Sequence, residues 1–159
     1  MISFGTSVRI ERPIEEVFAL VSDPIQLPRW NSAVQSVQGA SGGNGEPGST
    51  YSMKRELPTG QVQTGLEVFA RKQPSEFGIR TTRGPTPFVY HYGFVCAGAH
   101  TIVHLDATVA LPGVAAVLAP LAARSVRRGV DANSVSLKRT LEEGAADAAM
   151  RRRRLYCRN

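Results

Sequence analysis

The chain has 159 residues, 42% of them hydrophobic and 20% charged, which bounds it to one globular domain able to bury a core without disulfides. No run of apolar residues is long enough to cross a membrane as a helix, and the two cysteines have no metal-ligand or framework spacing. The formal net charge is +6, but Arg151, Arg152, Arg153, Arg154 and Arg158 crowd the last stretch, so the body is near neutral and the basic balance does not describe a nucleic-acid-binding surface.

The opening, MISFGTSVRIERP, has no basic start followed by an apolar core. No signal peptide is expected, and a reducing, cytoplasmic setting fits the cysteine usage. Ser3 to Glu11 alternates, with Val8 and Ile10 set against Ser7, Arg9 and Glu11, and is expected to be a strand. Pro13 then opens a helix, with Glu15 and Glu16 in the first turn, where the helix dipole favours acids. Asp23-Pro24 ends that helix and caps a second short one over Ile25 to Leu27. Trp30, the single tryptophan, follows. Val34 to Val37 reads as a short strand, and Ser41 to Ser49 as a Gly-rich connection. That loop is followed by a strand and carries no lysine, so it fails the phosphate-loop tests.

Alternating segments then run to residue 109. A turn at Pro58-Thr59-Gly60 and a reversal at Pro74-Ser75 separate the first three. Gly98-Ala99 suits a two-residue type II′ turn. That turn sets Phe94 opposite Val103, Tyr92 opposite Leu105, Tyr90 opposite Ala107 and Phe88 opposite Val109, so one apolar face meets another. The order is strand, two helices, about six antiparallel strands, and a long helix: an α+β domain whose curved sheet has one face to cover.

The cover is the segment from Pro112 to Gly144. Ala119, Ala122, Val126, Val130, Asn133, Leu137 and Leu141 recur at steps of three and four, which is one helical face. Gly144 sits where such a helix is expected to stop. Pro120 is read as N1 of the main helix, or as a kink after a short first piece at 113–119. The start of the inner face is small, with Ala115, Ala116, Ala119, Ala122 and Ala123. The domain is expected over residues 1–144, with a basic, disordered tail over 145–159. That tail makes at most weak contact with an anionic surface.

The residues Val8-Arg9-Ile10-Glu11-Arg12-Pro13-Ile14-Glu15-Glu16-Val17-Phe18, then Asp23-Pro24 and Leu27-Pro28-Arg29-Trp30-Asn31, resemble the opening of the polyketide cyclase/dehydrase and lipid-transport branch of the START-like (SRPBCC) superfamily. Arg127 to Asn133, with Leu137-Lys138 and Leu141-Glu142, resembles that family's C-terminal helix. The resemblance implies a helix-grip fold: about seven antiparallel strands wrapped round the last helix, with an apolar cavity between them. Members include lipid carriers, hormone receptors, aromatase/cyclases, quinone-binding proteins and chaperone activators, so the fold does not choose a function.

On the expected concave face lie Tyr51, Met53, Arg55, Leu66, Val68, Ile79, Tyr90, Tyr92 and Phe94, with Val126 and Val130 on the helix above and Trp30 at the border. An apolar wall with a few polar groups is what a small-molecule pocket needs. The same pattern also describes a filled core, and Trp30 serves equally as a packing residue. Arg55 shares parity with Tyr51 and Met53. Pointing inward, its guanidinium needs a carboxylate partner or an acidic ligand; near the turn, it snorkels out at the rim, which is the favoured reading.

His91 and Asp106 face each other on the convex side, as a surface cross-strand pair. His100 and His104 lack a third ligand apart from His91, so no metal site and no cofactor are expected. Three functions stand side by side. The first is binding of an apolar small molecule: lipid, isoprenoid, polyketide or aromatic. The second is a cyclase, aromatase or dehydratase using Arg55, Tyr51, Tyr90 and Tyr92. The third is a protein-interaction module with a solid core. A gap under the helix well below about 300 Å³ counts against the first.

Overall fold

Alternation in Ser3–Glu11 becomes β1, Ile2–Ile10, and the helix after Pro13 becomes α1, Ile14–Val21. The structure is a computed structural model describing residues 1–42, 44–111, 113 and 117–156, with side chains as far as residue 149. Pro13 stands just outside α1 as its N-cap, with φ −58° already preset. Asp23 caps a short 3-10 helix, Pro24–Arg29, by accepting a 3.1 Å hydrogen bond from the Ile25 N–H. Then come β2, Val34–Ser41; β3, Thr50–Leu57; β4, Gly60–Lys72; β5, Glu76–Arg83; β6, Phe88–Ala97; and β7, His100–Val109. The last element, α2, runs from Ala119 to Tyr156.

The strands form one antiparallel sheet of seven, ordered β1-β7-β6-β5-β4-β3-β2. The last strand of the meander, β7, pairs with β1, so the start of the chain is locked beside the strand that leads into the long helix. The β6–β7 register is the one the Gly98-Ala99 turn demands: Phe94 pairs with Val103, Tyr92 with Leu105, Tyr90 with Ala107 and Phe88 with Val109. Gly98 carries the positive φ, +69°, that this turn requires of its first residue. Those side chains point into the concavity and are buried, apart from the half-buried Tyr90. Val89 and Val95, of the opposite parity, are exposed on the convex side.

The helix lies across the concave face and is tied to the edge strand β1. Thr6 donates to Asp131 at 2.9 Å, Lys138 to the Arg9 carbonyl at 2.8 Å, and the Glu11 N–H to Glu142 at 2.9 Å. Val130 and Leu137 are its buried anchors, with Val126 and Leu141 packed beside them.

One expectation for this segment changes. Gly144 does not stop the helix, which continues through residues 145–156. Stopping there needs a left-handed glycine, and Gly144 keeps a negative φ. The alanines around it are strong helix formers, and they outweigh the roughly 1 kcal/mol that one interior glycine costs. The expected short first piece at 113–119 falls largely outside the described residues, as do Ala115 and Ala116. Pro120 sits in the first turn of α2, where its missing N–H leaves nothing unpaired.

Candidate functional site

A cavity of about 150 Å³ lies between the sheet and α2. Its floor comes from β3, β5 and β6 through Met53, Ile79, Phe77 and Tyr92. Its roof is the middle of α2: Val126, Gly129, Val130 and Asn133. The 3-10 helix and the residues after it close one side with Pro24, Leu27, Trp30 and Asn31. Gly129 has open space where a Cβ would stand. The room therefore sits under the stretch from Val126 to Asn133. Of the alanine-rich start, the described Ala119, Ala122 and Ala123 are half-buried and do not line this space.

Eight of the residues expected to face a ligand do line this space: Trp30, Met53, Arg55, Ile79, Tyr90, Tyr92, Val126 and Val130. Tyr51, Leu66, Val68 and Phe94 do not. Their parity is right, but other side chains stand over them. Phe94 meets the edge of Phe18 from α1, with ring centres 5.3 Å apart. The Tyr51 hydroxyl accepts the Gly45 N–H at 3.0 Å, closing the Gly-rich loop over it. Leu66 and Val68 are fully buried core. Parity gives the face of a strand but not what packs on that face. Phe77 and Phe88 line the cavity and share parity with Ile79 and Tyr90, so the alternation that found those also pointed to them.

The polar groups gather around Arg55. Its Nε donates to the Thr64 hydroxyl at 3.3 Å, and its Nη2 to the Pro85 carbonyl at 3.0 Å and the Thr86 hydroxyl at 2.9 Å. The guanidinium lies over the Phe88 ring, 5.5 Å from its centre, and Phe88 stacks on Tyr90 at 4.4 Å. Arg55 thus lines the space half-buried, held by loop oxygens rather than free in solvent. Partial burial lowers its pKa, opposed by the neighbouring Tyr90 hydroxyl. Burial pushes both tyrosine hydroxyls upward; the Arg55 charge restrains Tyr90, and Tyr90 adds to the rise at Tyr92. Both remain protonated at neutral pH. The indole N–H of Trp30 is buried without a hydrogen-bond partner.

Among the described residues no carboxylate or histidine lines the cavity. Its polar set can donate hydrogen bonds and hold charge, but contains no ordinary general base. His91 pairs in register with Asp106, yet its Nε2 bonds to Glu76 at 2.7 Å, across the neighbouring strand. His104 bonds to Ser7 and His100 to Arg9. Among the described residues no group of histidines, cysteines and acids could hold a metal.

The sequence matches the family described as polyketide cyclase / dehydrase and lipid transport over residues 1–142. The chain belongs to that family. Solved structures agree with this polyketide cyclase/lipid-transport fold. A protein from Thermus thermophilus is 16% identical, with a TM-score of 0.75 over 90% of this chain and 99% of that one. A START superfamily protein from Mycobacterium smegmatis is 15% identical, with a TM-score of 0.74 over 89% and 97%. The di-domain ARO/CYC StfQ of the steffimycin biosynthetic pathway is 14% identical, with a TM-score of 0.72 over 93% of this chain and 52% of its own. At such identities the likeness is one of fold. No curated protein matches the sequence. The protein therefore has the helix-grip fold of a hydrophobic-ligand-binding family, and no described helix is long and apolar enough to cross a membrane.

Proposed function

We propose that this protein binds a small apolar molecule, about one aromatic ring in size, in the cavity between its sheet and α2. The observation that carries the reading is the hollow itself: about 150 Å³ walled mostly by apolar and aromatic side chains. An apolar cavity of about this volume takes up benzene in other proteins. Lipid-, isoprenoid- and polyketide-sized ligands want at least about 300 Å³. The volume falls well below that, which counts against the binding reading as first framed; what we retain is its smallest case, a single aromatic ring.

Calorimetric titration with toluene and benzyl alcohol tests this reading. Val126→Phe, which fills the roof, is expected to weaken uptake at least about tenfold while leaving a cooperative unfolding transition. Equal binding by the filled variant would remove the cavity from the account.

A cyclase-type reading has one observation in its favour. Arg55, Tyr90 and Tyr92, three of the four expected candidates, line the same space. Without a base among them, they would act by holding and polarising a substrate. Turnover that survives substitution of all three would exclude them.

A further inference from the structure

Arg55 is the one ionised side chain among the described residues lining the cavity. A half-buried guanidinium beside an apolar space gains from a counter-charge, and here it has only neutral oxygens and the Phe88 ring. None of the six ion pairs among the described residues includes it. Its partners Thr64, Pro85 and Thr86 offer neutral oxygens only. Those bonds engage Nε and Nη2. Among the described residues Nη1 makes none, leaving two of the five guanidinium N–H groups unspent.

A second observation is independent of the first. Trp30 lines the same cavity, and its indole N–H is buried with no acceptor. A buried donor left unmatched costs about 1–3 kcal/mol. Of the two, Arg55 is in reach of an oxygen bound in the cavity, whereas the indole N–H has no surface open to it. The surrounding walls, from Val34 to Phe77 and Phe88, want an apolar body.

We infer that the ligand is a small monocyclic organic anion, an aromatic carboxylate or its like, whose ring fills the apolar end and whose oxygens answer Arg55. The carboxylate supplies the missing counter-charge to the guanidinium. Two oxygens on one carbon match the fork that arginine presents, which a hydroxyl or a lone carbonyl does not. The ring size comes from the volume and the charge from Arg55, and together they favour a monocyclic anion over a neutral ring of the same size.

The inference rests on the cavity-binding reading, and one experiment separates the two. Benzoate and benzyl alcohol, which share a ring and differ in charge, are titrated into the full chain by calorimetry at neutral pH and moderate salt. Benzoate is expected to bind at least about tenfold tighter. Arg55→Met abolishes that preference and leaves benzyl alcohol binding in place, while Arg55→Lys keeps part of it. Should Arg55→Met not fold, the wild-type preference and the lysine variant decide the matter. Benzyl alcohol binding as tightly as benzoate overturns the anion inference and leaves the cavity reading standing. Failure of both probes to bind overturns both.

Discussion

Arg55 donates a 2.9 Å hydrogen bond to the hydroxyl of Thr86, a β-branched residue held at φ +53°. Left-handed backbone is costly for threonine, by about 1–2 kcal/mol. The bond from Arg55, with the 2.7 Å bond from the same hydroxyl to the Pro85 carbonyl, offsets that cost. Thr86→Asn keeps an oxygen and tolerates the conformation, so its stability is expected to equal or exceed that of the parent. Thr86→Ala loses the acceptor and keeps the strain, and is expected to cost about 1–2 kcal/mol. Urea unfolding of the two variants checks the ordering; an alanine variant more stable than asparagine would contradict it.

Trp30→Phe is expected to be a mild change. It gives up some buried area, but it also removes the orphan indole N–H. The net cost is expected to stay under about 1 kcal/mol, against about 3–5 kcal/mol for Trp30→Ala, which opens a void. Circular dichroism in urea measures both.

The grip of α2 resides in few side chains. Leu137 is 2% exposed and Leu121 is 64% exposed on the same helix. Leu137→Ala is expected to cost about 2–5 kcal/mol. Leu121→Ala should stay within about 0.5 kcal/mol. Equal losses at the two positions would mean that the inner face is misassigned.

Glu142 joins α2 to β1. It accepts from Lys138 Nζ at 2.6 Å and from the Glu11 N–H at 2.9 Å, and these bonds hold its carboxyl below the usual glutamate range. Because the folded pKa is depressed, the stabilisation is complete above the unfolded value of about 4.3 and fades as pH falls through the folded one. The parent should therefore lose stability more steeply than Glu142→Gln on acidification below that value. The difference should shrink in salt, since the pair is solvent-facing. Parallel melting curves with identical pH slopes would remove the role.

Period-two alternation and turn chemistry made the sheet readable in advance. Phe94 opposite Val103 follows from Gly98-Ala99 alone, because a two-residue turn fixes every pair beyond it. The helix end was not legible. Gly144 carries the composition of a stop, but a glycine stops a helix only when its backbone flips, and neighbouring alanines give it no reason to.

For the site, parity found Met53, Ile79, Tyr90 and Tyr92, but could not show that Phe18 would stand over Phe94. That contact joins residues far apart in the chain. Arg55 shows the same limit. Nearness to a turn suggested escape to solvent, whereas the oxygens of Pro85 and Thr86, from a loop about thirty residues on, hold it half-buried beside the cavity. Asn31, beside Trp30 on the cavity side, had no pattern to betray it.

Placing the chain's single tryptophan in the cavity wall has a practical result. The molecule carries its own optical gauge. Whatever enters or leaves the hollow changes the surroundings of one indole and of no other, so the colour and brightness of native emission report occupancy without a label. A shift that appears with a candidate compound, and vanishes once the space is filled by mutation, would be read from unmodified protein in a cuvette.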